Sequence, residues 1–110
     1  MKVREAENGI VVISLSGKFR LGDETTKFHG VVHENLNYKR TRFVVDLGDV
    51  ERIDSVGIGT LVSGLVSARK ARGRLVLARI TNVQSLIAMV GLLNWFEVYD
   101  TVEEATKSFP

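Results

Sequence analysis

The sequence predicts an α/β domain, a mixed and mostly parallel β-sheet with about four helices packed on it. Three observations lead there. Strand-like and helix-like stretches alternate along most of the chain. Most of the helix candidates carry their own start or stop signal. Hydrophobic residues make up 45% of the chain and cysteine is absent, so burial of side chains must hold the fold without cross-links. The 110 residues suit one domain, read as residues 1–110.

Each element has a local reason. Residues 3–6 read as a short first strand, turned at Asn8-Gly9, a strong hairpin signal. In residues 10–16, IVVISLS, Val11, Ile13 and Leu15 share one face and Ser14 and Ser16 the other. Gly17 closes that strand, and Phe19 and Leu21 alternate briefly before Gly22. Asp23 is placed to cap a helix running to about Asn37, with Phe28, Val32 and Leu36 as its narrow apolar stripe. Residues 42–47, RFVVDL, show little alternation, which predicts a strand buried on both faces. GDVERID reads as a loop.

A second helix is expected from about Val56 to Ala71, with Ile58, Leu61, Val62, Leu65 and Ala68 facing the core and Gly73 as its stop. Residues 74–79, RLVLAR, give another strand. Thr81 and Gln84 form a capping box for a helix carrying Val83, Leu86, Ile87 and Val90, ended by Gly91. Glu97 to Tyr99 read as a last short strand. Thr101 and Glu104 form a second capping box, opening a helix to about Ser108. Strands separated by helices are joined by crossovers, which favours a parallel sheet after the opening hairpin.

Composition narrows the function classes. The net charge is +2, from 15 basic and 13 acidic residues. The densest basic groups, Lys39, Arg40 and Arg42, then Arg69, Lys70, Arg72 and Arg74, each fall near a predicted helix end, where cations complement the dipole. That placement argues against a nucleic-acid face, although an anionic partner is a second reading of the same residues. MKVREAENG has no apolar signal core, and no apolar run approaches a membrane span. The expected location is the cytoplasm, without membrane insertion.

The chemistry concentrates in Ile53-Asp54-Ser55-Val56-Gly57-Ile58-Gly59-Thr60, where a loop becomes a helix. Ser55 is placed as the N-cap, its hydroxyl accepting from an amide two or three residues on. Gly57 and Gly59 then lie in the first turn, each costing about 1 kcal/mol relative to alanine. Exposed amides or close approach by a partner would explain that cost. A phosphate on Ser55 would meet the positive end of the helix dipole with Asp54 beside it, and would change the local field sharply. Spacing alone favours the plainer role of a helix cap, because serine is a preferred N-cap everywhere.

These residues resemble a known family. The strand Val44-Val45-Asp46-Leu47, followed by Val50, Ile53-Asp54-Ser55 and Gly57-Ile58-Gly59, is similar to the STAS domain of bacterial anti-sigma factor antagonists. Gly73-Arg74-Leu75-Val76-Leu77, Val90-Gly91-Leu92 and the acidic Asp100-Thr101-Val102-Glu103-Glu104 extend the resemblance over nearly the whole chain. It implies the STAS fold, with Ser55 as a phosphate acceptor. It implies a partner that is an anti-sigma factor and often also a serine kinase. The unphosphorylated protein would sequester that partner and free the sigma factor, phosphorylation would dissolve the complex, and a phosphatase would reset it. The domain would be a substrate rather than an enzyme, without a cofactor. The contact surface implied is Asp23, Asp54, Ser55, Val56, Gly57, Gly59, Thr60 and Ser63. Many relatives carry G-x-L-D after the second strand, whereas this chain reads Gly17-Lys18-Phe19-Arg20-Leu21-Gly22-Asp23, so Asp23 takes the aspartate's place only in a longer turn.

Other features weigh less. Thr60, Ser63, Gly64, Ser67 and Ala71 give the second helix a smooth face, open to a partner or to a neighbouring helix. His29 and His33 sit one helical turn apart, but no further His or Cys exists to complete a metal site. Trp95 and Phe96 are expected to close the core. No P-loop or dinucleotide fingerprint is present, and nothing supports a Ser-His-Asp arrangement. The leading expectation is a binding module switched at Ser55. The alternative is a STAS subunit of a membrane lipid or anion transport system, with Ser55 as a fixed contact.

Overall fold

The computed structural model describes residues 1–84 and 93–110. Five strands form one sheet in sequential order: β1 (Lys2–Glu5), β2 (Val11–Phe19), β3 (Arg42–Ile53), β4 (Arg74–Ala78) and β5 (Val98–Tyr99). β1 pairs antiparallel with β2, and every later pair is parallel. α1 (Asp23–Asn37) links β2 to β3, α2 (Ser55–Lys70) links β3 to β4, and α3 (Val102–Lys107) follows β5. The hairpin turns where expected. Asn8 and Gly9 both hold positive φ, 63° and 75°, the pair of left-handed residues that suits the strands' twist.

Alternation divides the core. Val11, Ile13, Leu15, Phe43, Val45, Leu75 and Leu77 point to one face, under Phe28 and Val32 of α1 and Leu61, Leu65 and Ala68 of α2. Ile10, Val12, Val44, Val76 and Ala78 point to the other, covered by Ala105 of α3 and by Phe109. The run Phe43 to Leu47 is buried throughout, Asp46 included, as its lack of alternation predicts.

Several expectations need correction. GDVERID is not a loop, because β3 continues to Ile53 alongside a β2 that continues to Phe19. The pairing slips between Ser14 and Ser16 and again between Gly17 and Lys18. These bulges put Val50 and Ile53 into the core at a spacing of three, which hides the strand from a search for period two. Asp23 does not cap α1. The N-cap is Gly22, whose carbonyl accepts the Thr25 and Thr26 hydroxyls at 3.0 and 3.1 Å. Gly73 is not the left-handed stop of α2, since Arg72 takes that conformation with φ 60°. Gly73 serves close approach instead: a Cβ there would collide with the Thr41 carbonyl.

Trp95 does not close the core. It is 53% exposed, while Phe96 beside it is buried as expected. The helix expected from Thr81 to Gly91 falls largely on residues 85–92, outside the described ones, as does the Val90-Gly91-Leu92 match. At the C-terminal end, Thr101 caps α3 by accepting from the Glu104 amide at 3.0 Å.

Candidate functional site

β3 ends at Ile53 and α2 begins two residues later, so the junction stands at the carboxyl end of a central strand. Asp54, not Ser55, is the N-cap. Its Oδ1 accepts from the Gly57 amide at 2.7 Å, and its Oδ2 accepts from the Leu21 amide at 3.2 Å. One carboxylate thus caps α2 and ties it to the loop between β2 and α1. Both amides favour the ionised form. The Gly57 bond is the main cause that lowers the Asp54 pKa below the ordinary carboxylate value; desolvation opposes it, and the bonds from Leu21 and Val56 add to the lowering.

The correction moves Ser55 to the first helical position. It is exposed, and its side chain makes no hydrogen bond among the described residues. Sequence reasoning favoured serine as the cap because both residues are good caps. The carboxylate wins here because it accepts two amides at once, from separate segments.

Gly57 and Gly59 have different reasons. A Cβ on Gly57 would collide with the Phe19 carbonyl and stand 2.8 Å from Ile53 Cγ1. The close approach inferred for this glycine is therefore to the protein's own β2, not to a partner. Gly59 faces open space, with nothing within 4 Å of a Cβ. It lines a groove of about 520 Å³ with Val56, Thr60 and Ser63 of α2 and Thr25, Thr26 and His29 of α1. The Thr60 hydroxyl donates back to the Val56 carbonyl at 2.7 Å, which leaves the groove wall smooth.

Of the residues named from sequence, Val56, Gly59, Thr60 and Ser63 share this groove beside exposed Ser55. Gly57 is buried beneath it. Asp23 is exposed at the start of α1 and makes no side-chain hydrogen bond or ion pair with the described residues. Of the smooth face, Gly64 turns inward, where a Cβ would meet the Phe28 ring at 3.1 Å, so it serves helix packing. Two contributions were missed. Leu21, 74% exposed beside Asp54, was not foreseen; with the expected Val56, 39% exposed beside Ser55, it gives the junction an apolar rim. The α1 wall was missed because nothing local in Thr25, Thr26 or His29 says that α2 lies opposite. The rings of His29 and His33 lie 4.2 Å apart between centroids, and the described residues contain no group of three metal-ligating side chains. No helix among the described residues is long and apolar enough to cross a membrane.

Comparison with known proteins agrees with this arrangement. The family model described as "Mlab, STAS domain" matches residues 3–98. A search of curated proteins finds no match. Among solved structures, TM1081 of Thermotoga maritima aligns over 97% of this chain and 92% of its own, with TM-score 0.86 and 23% identity. The Bacillus anti-sigma factor antagonist SpoIIAA, solved unphosphorylated and phosphorylated, aligns over 97% of this chain in both forms. It is covered over 94% and 96%, with TM-scores 0.77 and 0.78 and identities 16% and 18%. A sulfate transporter family protein from Wolinella succinogenes aligns over 96% of this chain and 88% of its own, with TM-score 0.82 and 18% identity. These structural likenesses establish a shared fold, and with the sequence match across residues 3–98 the chain belongs to the STAS domain family.

Proposed function

We propose that the chain is an anti-sigma factor antagonist. Unphosphorylated, it binds an anti-sigma factor that is also a serine kinase; phosphorylated on Ser55, it is released, and sigma factor availability falls. The observation that carries this reading is the exposed Ser55 hydroxyl at the first position of α2, beside the ionised Asp54 and an apolar rim of Leu21 and Val56. SpoIIAA, of the same fold, is known in both phosphorylation states.

The geometry suits a switch that leaves the fold alone. The Gly57 amide is already held by Asp54, so a phosphate on Ser55 does not displace a buried contact. It adds about 1.5 to 2 negative charges on the surface next to a carboxylate, where a docked partner would have to desolvate them. In the transfer step, Ser55 Oγ bonds to the γ-phosphorus of ATP as the bond to ADP breaks, and the hydroxyl proton passes to the kinase's base. A phosphatase reverses the state by hydrolysis. The chain supplies the hydroxyl and the docking surface, and in this reading has no catalytic residues, cofactor or nucleic-acid contact of its own. Asp23, Asp54, Val56, Gly59, Thr60 and Ser63 form that surface, with Gly57 setting the helix position beneath it.

The test is binding to the cognate kinase with and without ATP. Ser55→Ala should keep binding and resist release, while Ser55→Asp should weaken binding without ATP. Retention of ATP-driven release in Ser55→Ala would overturn the assignment.

A second reading has its own support. A structural neighbour from Wolinella succinogenes, of the same fold, is a sulfate transporter family protein. In that reading the chain is a cytoplasmic STAS subunit of a lipid or anion transporter, and Ser55 is a fixed contact. Capture of a transport ATPase from cells, with no phosphate on Ser55, would decide for it.

A further inference from the structure

The two densest basic stretches of the sequence meet in space. The turn after α1 and the turn after α2 are adjacent, joined by the Arg74 amide donating to the Thr41 carbonyl at 2.8 Å. Arg42 of β3 and Arg74 of β4 are direct cross-strand partners. One pole of the molecule therefore carries Lys39, Arg40, Arg42, Arg69, Lys70 and Arg72. It lies at the start of β3, and Ser55 lies beyond that strand's other end.

Helix capping accounts for only part of this. Lys39 and Arg72 occupy the same place after their helices, and both hold left-handed backbone, φ 62° and 60°. Glycine is the cheapest residue there, yet the chain places a cation at both positions. Lys39, Arg40, Lys70 and Arg72 are exposed and make no ion pair among the described residues. Arg42 bonds the Asn8 carbonyl and Arg69 bonds the Trp95 carbonyl, and both keep their charge. The neighbouring acids are Glu5 and Glu7 of the hairpin, Glu34 in the last turns of α1, and Glu97, which is committed to Arg74. The surplus here exceeds the +2 of the whole chain, so the rest of the surface is close to neutral.

Shape selects among anionic partners. The groove between α1 and α2 and the clefts around Arg79 and Tyr99, beside Gly48 and Asn82, and beside Met1 and Ser16 all lie clear of both turns. Cations projecting from two adjacent turns match a broad anionic surface, to which each contributes separately. Two exposed amphipathic aromatics stand at the same pole, Tyr38 at 71% and Trp95 at 53% exposure. Such side chains favour the boundary between lipid headgroups and water.

We propose that the pole built from the turns after α1 and α2 docks the domain peripherally on an anionic lipid bilayer, leaving the Ser55 end free for its protein partner. Each basic residue near such a surface is worth about a five-fold gain in partition coefficient at low salt. The interaction is electrostatic and is screened over about 10 Å at ordinary ionic strength.

The test is co-sedimentation of the full chain with vesicles of phosphatidylcholine alone and of phosphatidylcholine mixed with phosphatidylglycerol. Trp95, the sole tryptophan, gives a second readout through its emission. Binding is expected only to the anionic vesicles, with a blue shift, and is expected to fall as salt rises. The triple variant Arg40→Gln, Lys70→Gln, Arg72→Gly should bind about 100-fold more weakly. A control that removes three cations toward the other end of the sheet, Lys2→Gln, Lys18→Gln and Arg52→Gln, should bind nearly as the parent does. Unfolding midpoints of both variants verify that the fold is intact. No binding to anionic vesicles, or equal losses in the two variants, would overturn the proposal. So would tighter, pole-dependent binding to a single-stranded oligonucleotide or a polyglutamate peptide.

Discussion

Gly57→Ala isolates the packing beneath the site. An added methyl group has no free volume, because the Phe19 carbonyl occupies its place and Ile53 Cγ1 stands 2.8 Å away. The obstruction is backbone, so a rotamer change cannot relieve it, and either α2 or the end of β2 must shift. Overpacking of this kind costs up to about 3 kcal/mol. The better helix propensity of alanine offsets about 1 kcal/mol. The net loss is about 2 kcal/mol, which lowers the melting midpoint of a domain this size by roughly 8–15 °C. Gly59→Ala is the matched control, two residues on and facing open space. It should gain up to about 1 kcal/mol and melt a few degrees higher. Thermal unfolding followed by circular dichroism reads both. Equal stability of the two variants, or a Gly57→Ala protein as stable as the parent, would refute the claim that Gly57 is reserved for contact with β2.

Further outcomes follow from the same contacts. Asp54 has a lowered folded pKa, so its stabilising contribution is complete above the unfolded carboxyl value of about 3.9 and disappears as pH falls through the lower folded value. Urea midpoints measured from neutral to acid pH should therefore fall less steeply in Asp54→Asn than in the parent; parallel curves would contradict the assignment. Phe28→Ala empties the space between the Phe19 ring, 5.6 Å away, and Gly64, and should cost about 3–5 kcal/mol in a denaturant titration. Thr101→Ala removes the cap of α3 and should cost about 1 kcal/mol by the same method. Ser63→Tyr fills the groove between α1 and α2 from an exposed position, and should weaken partner binding while leaving the melting midpoint unchanged.

The strand and helix order was legible because each element carries its own period and punctuation. Asn8-Gly9 adopts the two left-handed residues its composition demands, and Thr101 caps as the capping box implies. What the sequence could not display was competition between neighbours. Asp54 and Ser55 are both acceptable caps, and the choice depends on the Leu21 amide, 33 residues away in sequence. Gly57 looked like a position kept clear for a partner, yet the obstruction is the end of β2, displaced into place by two bulges. The groove escaped notice for a similar reason, since its α1 wall is brought opposite α2 only by two crossovers on the same face of the sheet. The basic turns likewise read as separate helix ends until the pairing of β3 with β4 sets them side by side.

The central claim is that Ser55 is the residue through which the chain is switched. The most direct measurement is intact-mass analysis followed by site mapping, after incubation of the chain with ATP and candidate serine kinases from the same cells. The account predicts one added phosphate, located on Ser55, and none on the Ser55→Ala protein. A phosphate mapped to another residue while Ser55 stays unmodified would contradict it.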